Sequence, residues 1–246
     1  MTAGARVRAV ALWAAAAVAL VVLAALVWAN TVMAGDRTAA LKAWTNDAIT
    51  ITDTDHSVIL SPTSGASEQG LVFVPGAKVD PYAYLYKLSG IAEQGTTVVI
   101  TKPILNLAIA DPRPLDTFTA DVPGVDRWLV GGHSLGGVKA CTYATDASVD
   151  GLVLFGSYCA TDLSRSGLPA LSFVAENDGL SSPKKIADAS GNLPGTSTAV
   201  EIAGANHANF GNYGTQPGDG ESTADDDEVQ RLLTDEFTAW ADGLDR

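Results

Sequence analysis

The sequence predicts an α/β fold with a mostly parallel central sheet and helices on both faces, preceded by one N-terminal transmembrane helix. Three observations carry this. From Ala43 onward, short apolar runs alternate with stretches of helical periodicity. The run "LVFVPG" at 71–76 is continuously apolar with a glycine stop, as a strand covered on both faces requires. The first 34 residues hold an uncharged stretch of bilayer length. A chain of 246 residues suits one globular domain of about 200 residues plus a short extra segment.

In chain order, Arg6 and Arg8 come first, followed by no charge from Ala9 through Ala34. At a rise of about 1.5 Å per residue, the stretch from Ala9 to Ala29 spans about 30 Å, the thickness of a hydrocarbon core. Cleavable leaders carry apolar regions of only about 7–15 residues. The segment therefore reads as an uncleaved anchor; cleavage after Ala34, with Val32 in the −3 position of "VMA", is the alternative. The two arginines stay in the cytoplasm, so residues from Gly35 onward lie on the outer side. Residues 1–34 are then a cytoplasmic stub and membrane signal-anchor, and residues 35–246 an extracytoplasmic domain.

"AITIT" and "HSVILSP" alternate like strands around the turn "DTD", a hairpin pattern. After the strand "LVFVPG", "PYAYLYKLSGIAEQG" places Tyr82, Leu85, Leu88 and Ile91 at helical spacing behind a first-turn proline. "TTVVITKP" is the next strand. Residues 103–125 read as a loop rich in proline and aspartate, with one short helix near "PLDTFTA". Then follow the strand "RWLVGG", the helix "SLGGVKACTYATD", the strands "GLVLFGSY" and "ALSFVAE", the helix "SPKKIADASG" and the strand "TAVEIAGA". The terminal "DEVQRLLTDEFTAWADGL" puts Val229, Leu232, Leu233, Phe237 and Trp240 on one helical face. No internal repeat is visible, and the stretch from Tyr158 to Leu168 is too short for a lid domain, which predicts an open site.

The net charge of −13 argues against a nucleic-acid partner, since phosphate neutralisation needs clustered Lys and Arg. Part of the acidity sits in "STADDDEVQ", where Ser222 or Thr223 caps a helix and Asp225 to Glu228 complement its dipole. The two cysteines, Cys141 and Cys159, fall in the exported portion. An oxidising compartment permits their disulfide, while buried free thiols are the other reading. Two cysteines with no neighbouring histidine make a poor metal site, and no metal or organic cofactor is implied.

The chemistry begins at "GGHSLGG", residues 131–137. Its inner five residues match Gly-x-Ser-x-Gly, which needs a strand before it and a helix after it. "RWLV" and "SLGGVKACTYA" supply both, and Gly132 and Gly136 permit the tight turn. At such an elbow Ser134 stands free above the sheet, with the backbone N–H of Leu135 at the helix N-terminus as an oxyanion donor. A serine that merely caps the helix predicts nothing downstream; a nucleophile predicts an acid and then a histidine. Of three histidines, His56 precedes the serine and His133 adjoins it, where neighbouring side chains diverge. His207, in "GANHANF" after the last strand, has the required position. "ALSFVAENDGL" offers Asp178 beyond a strand end, with Glu176 and Asp162 as the competing acids.

With these residues in order, the chain from about Asn46 to the C-terminus resembles the α/β-hydrolase superfamily. It is most similar to a small lidless bacterial branch, the alpha/beta hydrolase fold-5 family. The resemblance rests on "VPGAKVDPYAY", "GGHSLGG", "AENDGLSSPKKI" and "GANHANFGNYGTQPGDG". It implies Ser134 as nucleophile, Asp178 as acid and His207 as base, with a second oxyanion N–H from Gly76 or Ala77. The His-Gly pair of many esterases is absent from that turn. Lys78 reads as a surface lysine near the rim, and "FGNYGTQPGDG" as an ordered loop shaping the site floor.

The function implied is that of a serine hydrolase acting on an ester or thioester through an acyl-enzyme. Its partners would be a small-molecule ester and the membrane. Lactone opening of the dienelactone type and peptide cleavage are alternatives among enzymes, and a non-catalytic binding module on the same scaffold is the alternative outside them.

Overall fold

The computed structural model describes residues 2–120 and 122–244. Helix α1 (Ala3–Asn30) is apolar and long enough to cross a bilayer, and within it only Ala29 is buried by protein. A second helix, α2 (Arg37–Trp44), follows at once, with Asp36 accepting from the Ala39 amide as its N-cap. The sequence reading did not anticipate α2, whose eight residues give too little periodicity to stand out.

The sheet contains β1 (Ile49–Asp53), β2 (Ser57–Pro62), β3 (Gln69–Val74), β4 (Thr97–Thr101), β5 (Arg127–His133), β6 (Val149–Phe155), β7 (Ala170–Ala175) and β8 (Thr198–Ile202). Their spatial order is β1-β2-β4-β3-β5-β6-β7-β8. The first two form the expected antiparallel hairpin and β2 runs antiparallel to β4; every pairing from β4 to β8 is parallel. Remaining helices are α3 (Leu85–Glu93), α4 (Asp116–Thr119), α5 (Leu135–Tyr143), α6 (Pro183–Ala189) and α7 (Asp226–Gly243).

Strand alternation divides the core into two layers. Leu71, Phe73, Leu129, Val153, Phe155 and Phe173 face α3 and α7. Val72, Val74, Val130, Leu152 and Leu154 face α5 and Phe118 of α4. Because both faces are covered, the central strands read as continuous apolar runs. The order reverses around β3, which lies between β4 and β5. At such a switch point the loops leaving the strand ends part and open a crevice.

Three local readings change. The helix expected from Pro81 begins as a 3-10 turn over Pro81–Tyr84, with Asp80 capping it, before α3 takes over. Neither Ser222 nor Thr223 caps α7: Asp225 does so, accepting from the amides of Asp227 and Glu228. Residues after β4 are not featureless; 3-10 turns at Ile104–Asn106 and Ala108–Ala110 precede α4.

Candidate active site

The crevice between β3 and β5 holds the Gly-x-Ser-x-Gly turn. Ser134 joins β5 to α5 with φ 54° and ψ −126°, a conformation that L-residues adopt only under tight constraint. The constraint comes from packing. A Cβ on Gly136 would lie 2.1 Å from the Val74 carbonyl oxygen and 2.4 Å from that of Pro75. A Cβ on Gly132 would lie 2.6 Å from the Gly136 carbonyl carbon. Both glycines thus permit backbone contact that presses the β3 exit loop against the N-terminus of α5. Behind the turn, the Ser134 amide donates to the Phe155 carbonyl (3.1 Å) and the Ser157 hydroxyl donates to the Ser134 carbonyl (2.7 Å). The sulfurs of Cys141 and Cys159 are joined, tying α5 to the loop after β6.

Four non-glycine residues have positive φ among the described residues: Lys78, Leu105, Asn106 and Ser134. Ser134 is the elbow, and the other three lie in the loops after β3 and β4. Lys78 donates its amide to the Asn106 carbonyl at 2.8 Å, so the two loops are bonded to each other. Strained backbone of this kind costs about 1–3 kcal/mol per residue and gathers where geometry serves function.

Across the crevice, His207 is fully buried and its Nδ1 lies 2.7 Å from Oδ2 of the buried Asp178. The other carboxylate oxygen of Asp178 accepts from the amides of Leu180 (2.8 Å) and Ser181 (2.6 Å). With Oδ2 accepting, Nδ1–H is the donor of this bond and Nε2 is the ring nitrogen left out of it. Nε2 has no hydrogen-bond partner among the described residues, so it is not bonded to Ser134 in this structure.

The competing residues go elsewhere. Glu176 accepts from the Gly204 amide, and the exposed Asp162 accepts from that of Ser164. His56 sits in the β1–β2 turn, its ring in a T-shaped contact with Phe118. His133, by contrast, belongs to the site: its ring is fully buried with its centroid 4.3 Å from that of His207. Burial, and then the charge His207 would carry, hold His133 well below the usual histidine range, so it is neutral.

The Tyr84 hydroxyl accepts from the Gly76 amide (2.9 Å) and donates to Nδ1 of His133 (2.9 Å). Burial pushes this phenol far above its ordinary pKa, so the proton it donates stays in place. Of the two oxyanion donors expected from this loop, Gly76 is therefore engaged by Tyr84. The amides of Ala77 and Leu135 make no hydrogen bond among the described residues.

Two residues here were not singled out from the sequence. Tyr84 shows no signal beyond its place in the aromatic run "YAYLY". Asp219, in the segment expected to be an ordered loop shaping the site floor, accepts from four backbone amides: Gly179 (3.1 Å), His207 (3.1 Å), Ala208 (2.9 Å) and Gly220 (2.8 Å). It clamps the acid loop to the histidine loop. The turn "PGDG" is the one hint of it in the sequence.

A mostly parallel α/β sheet with a strained serine at a strand-to-helix turn, and an Asp–His pair at later strand ends, defines the hydrolase class of α/β protein. The chain belongs to the alpha/beta hydrolase family, whose model matches residues 70–231. That span includes Ser134, Asp178 and His207 and excludes α1 and α2. No curated protein is a significant match to the chain.

Proposed function

We propose that this protein is a membrane-anchored serine hydrolase cleaving ester or thioester bonds through an acyl-enzyme on Ser134. One observation carries the reading: a buried Asp178–His207 pair with Nε2 unpartnered, the histidine ring packed on the residue adjoining a strained serine.

In this reading His207 Nε2 takes the Ser134 proton as Oγ attacks the acyl carbonyl, and the bond to the leaving group breaks as His207 returns the proton. Water then enters by the same route in reverse order. Asp178 holds the imidazole tautomer and stabilises the imidazolium. The amides of Leu135 and Ala77 receive the oxyanion, with Leu135 helped by its place at the N-terminus of α5. Tyr84 and the neutral His133 hold the loop that carries Ala77 and keep a second charge away from His207.

The division into residues 1–34 as stub and anchor and 35–246 as catalytic domain follows the same reading. Ala29 is buried, and the Met33 amide donates to the Lys78 carbonyl at 2.7 Å. Cleavage after Ala34 would remove both contacts, which favours retention of α1.

A fluorophosphonate probe tests the nucleophile. Wild type is expected to be labelled on Ser134 and Ser134→Ala not at all. His207→Ala should slow labelling by about four orders of magnitude, because the members act as a unit. Asp178→Asn should slow it about a thousandfold: the amide keeps the Leu180 and Ser181 contacts but turns a donor toward Nδ1. A folded wild type that refuses the probe and hydrolyses no ester or lactone would point instead to a binding module.

A further inference from the structure

Resting on the reading of Ser134 as nucleophile and α1 as anchor, we propose that the site opens onto the membrane itself. Its substrate is then a lipid acyl ester held in that bilayer, entering over an apolar rim of Ile104, Leu105, Ile109 and Leu135.

The first support is where the anchor ends. The uncharged stretch runs from Ala9, and one hydrocarbon thickness later the chain reaches Trp28 and Ala29. Here the Asn106 side chain donates to the Ala29 carbonyl (3.0 Å), and the Lys78 ammonium donates to the Trp28 carbonyl while lying 4.4 Å from the Trp28 ring. Tryptophan at this depth marks the boundary between hydrocarbon and water. Lys78 and Asn106 therefore sit at that boundary, and both belong to the strained loops flanking the elbow.

The second support is a short, rigid tether. Two residues separate Asn30 from Met33, which bridges Val79: Met33 donates to the Lys78 carbonyl and accepts from the Asp80 amide (3.0 Å). A few residues later the Asp36 amide donates to the Asn212 carbonyl. The domain is held with this edge toward the end of α1.

The third is the rim. Residues 103–110, "PILNLAIA", carry no charge. Ile104, Leu105 and Ile109 are 44%, 43% and 56% exposed, and Leu135, beside the nucleophile, is 44% exposed. The Ala108–Ala110 turn packs against α5, bringing Ile109 to the helix that begins with Leu135. Apolar side chains gathered at a reactive serine, rather than scattered singly, mark a surface that meets an apolar phase.

Two cations lie by this patch in a chain of net charge −13: Lys78, and Lys139, which donates to the Asp111 carbonyl; the Arg113 charge is paired with Asp111. The two lysines suit the phosphates of a lipid surface. In the reaction the acyl chain stays on the rim while its carbonyl carbon bonds to Ser134 Oγ. The ester C–O bond breaks, and the freed alcohol takes the proton from His207 and departs.

The experiment uses the full chain in nanodiscs of phosphatidylcholine and phosphatidylglycerol containing a diazirine-tailed phosphatidylcholine. Irradiation is expected to give adducts on residues 104–110 and Leu135 as well as on α1. Adducts confined to α1 would overturn the proposal, and this readout does not depend on Ser134 being reactive.

The second arm compares two esters on the triple variant Ile104→Ser, Leu105→Ser, Ile109→Ser. Hydrolysis of p-nitrophenyl palmitate dissolved in the nanodisc should fall about tenfold or more, with p-nitrophenyl acetate hydrolysis held within about twofold. Equal retention of both rates would also overturn it. If the triple variant does not fold, Ile109→Ser alone is read in the same pair of assays. Wild type inert to both esters would remove the hydrolase reading, while the adduct map would still decide which way the site faces.

Discussion

Hydrogen bonds from backbone amides to carboxylates hold the loops carrying Asp178 and His207, whereas close backbone packing holds the elbow carrying Ser134. On the Asp178–His207 side, Asp178 and Asp219 together accept six amide bonds and fix two loops from different strand ends. On the Ser134 side, Gly136 lies against the carbonyls of Val74 and Pro75 with no room for a methyl group. Directional bonds can be lost one at a time and leave the chain in place. A packed backbone contact has no intermediate state: one added carbon must move a strand exit or a helix.

That contrast sets the expected order of effects. Gly136→Ala should be the most damaging, because the atoms it meets are backbone carbonyls and not flexible side-chain ends. A destabilisation of about 3 kcal/mol is expected, with loss of probe labelling. Thermal melting and fluorophosphonate labelling of the same preparation check it. Labelling at the wild-type rate would show that the β3 exit loop is not fixed by this contact.

Asp219→Asn should act more gently and on one side only. The amide keeps one accepting oxygen and turns a donor toward an N–H it formerly bonded. Ester turnover should fall about tenfold with KM unchanged, because His207 is displaced while substrate binding at the elbow is not. Separate kcat and KM values decide this. A rise in KM alone would mean that the clamp shapes the binding surface and not the histidine.

The smallest effect concerns His133, which lies between the two halves. Its folded pKa is depressed below 6.5, so below that pH the unfolded chain takes up a proton that the folded chain refuses. Stability from this residue is therefore present above pH 6.5 and declines as the pH falls, by about 1 kcal/mol from pH 7.5 to 5.5. Urea titrations at the two values should show a shallower decline for His133→Gln than for wild type. Equal slopes would place the acid sensitivity in other groups.

The legible parts of the site are those whose chemistry depends on residue type and chain order. A serine between glycines after a strand, an aspartate beyond a later strand and a histidine beyond the last one are all visible in one dimension. The structure brings Asp178 and His207 together as that order requires. The proposed oxyanion donors were less legible: Gly76 and Ala77 look equivalent in sequence, and only a tyrosine eight residues further on, engaging the Gly76 amide, distinguishes them. Asp219 was missed for a related reason. Its role lies in four amides from segments 40, 12, 11 and 1 residues away, and a side chain with no local partner pattern leaves no periodic trace.

By itself the sequence determined the α/β order of strands, the apolar N-terminal helix and the three residues from which the proposed site is read. Each of these is written in local periodicity, in motif spacing or in an uncharged run. Only the tertiary structure decided that His133 packs against His207 and that the end of α1 is bonded to the loops beside Ser134. It alone showed that Ile104, Leu105 and Ile109 of the loop "PILNLAIA" are exposed while Ala108 is buried. These are contacts between segments distant in the chain, fixed by how a twisted parallel sheet brings its strand ends to one edge. No local pattern encodes which loops will meet there.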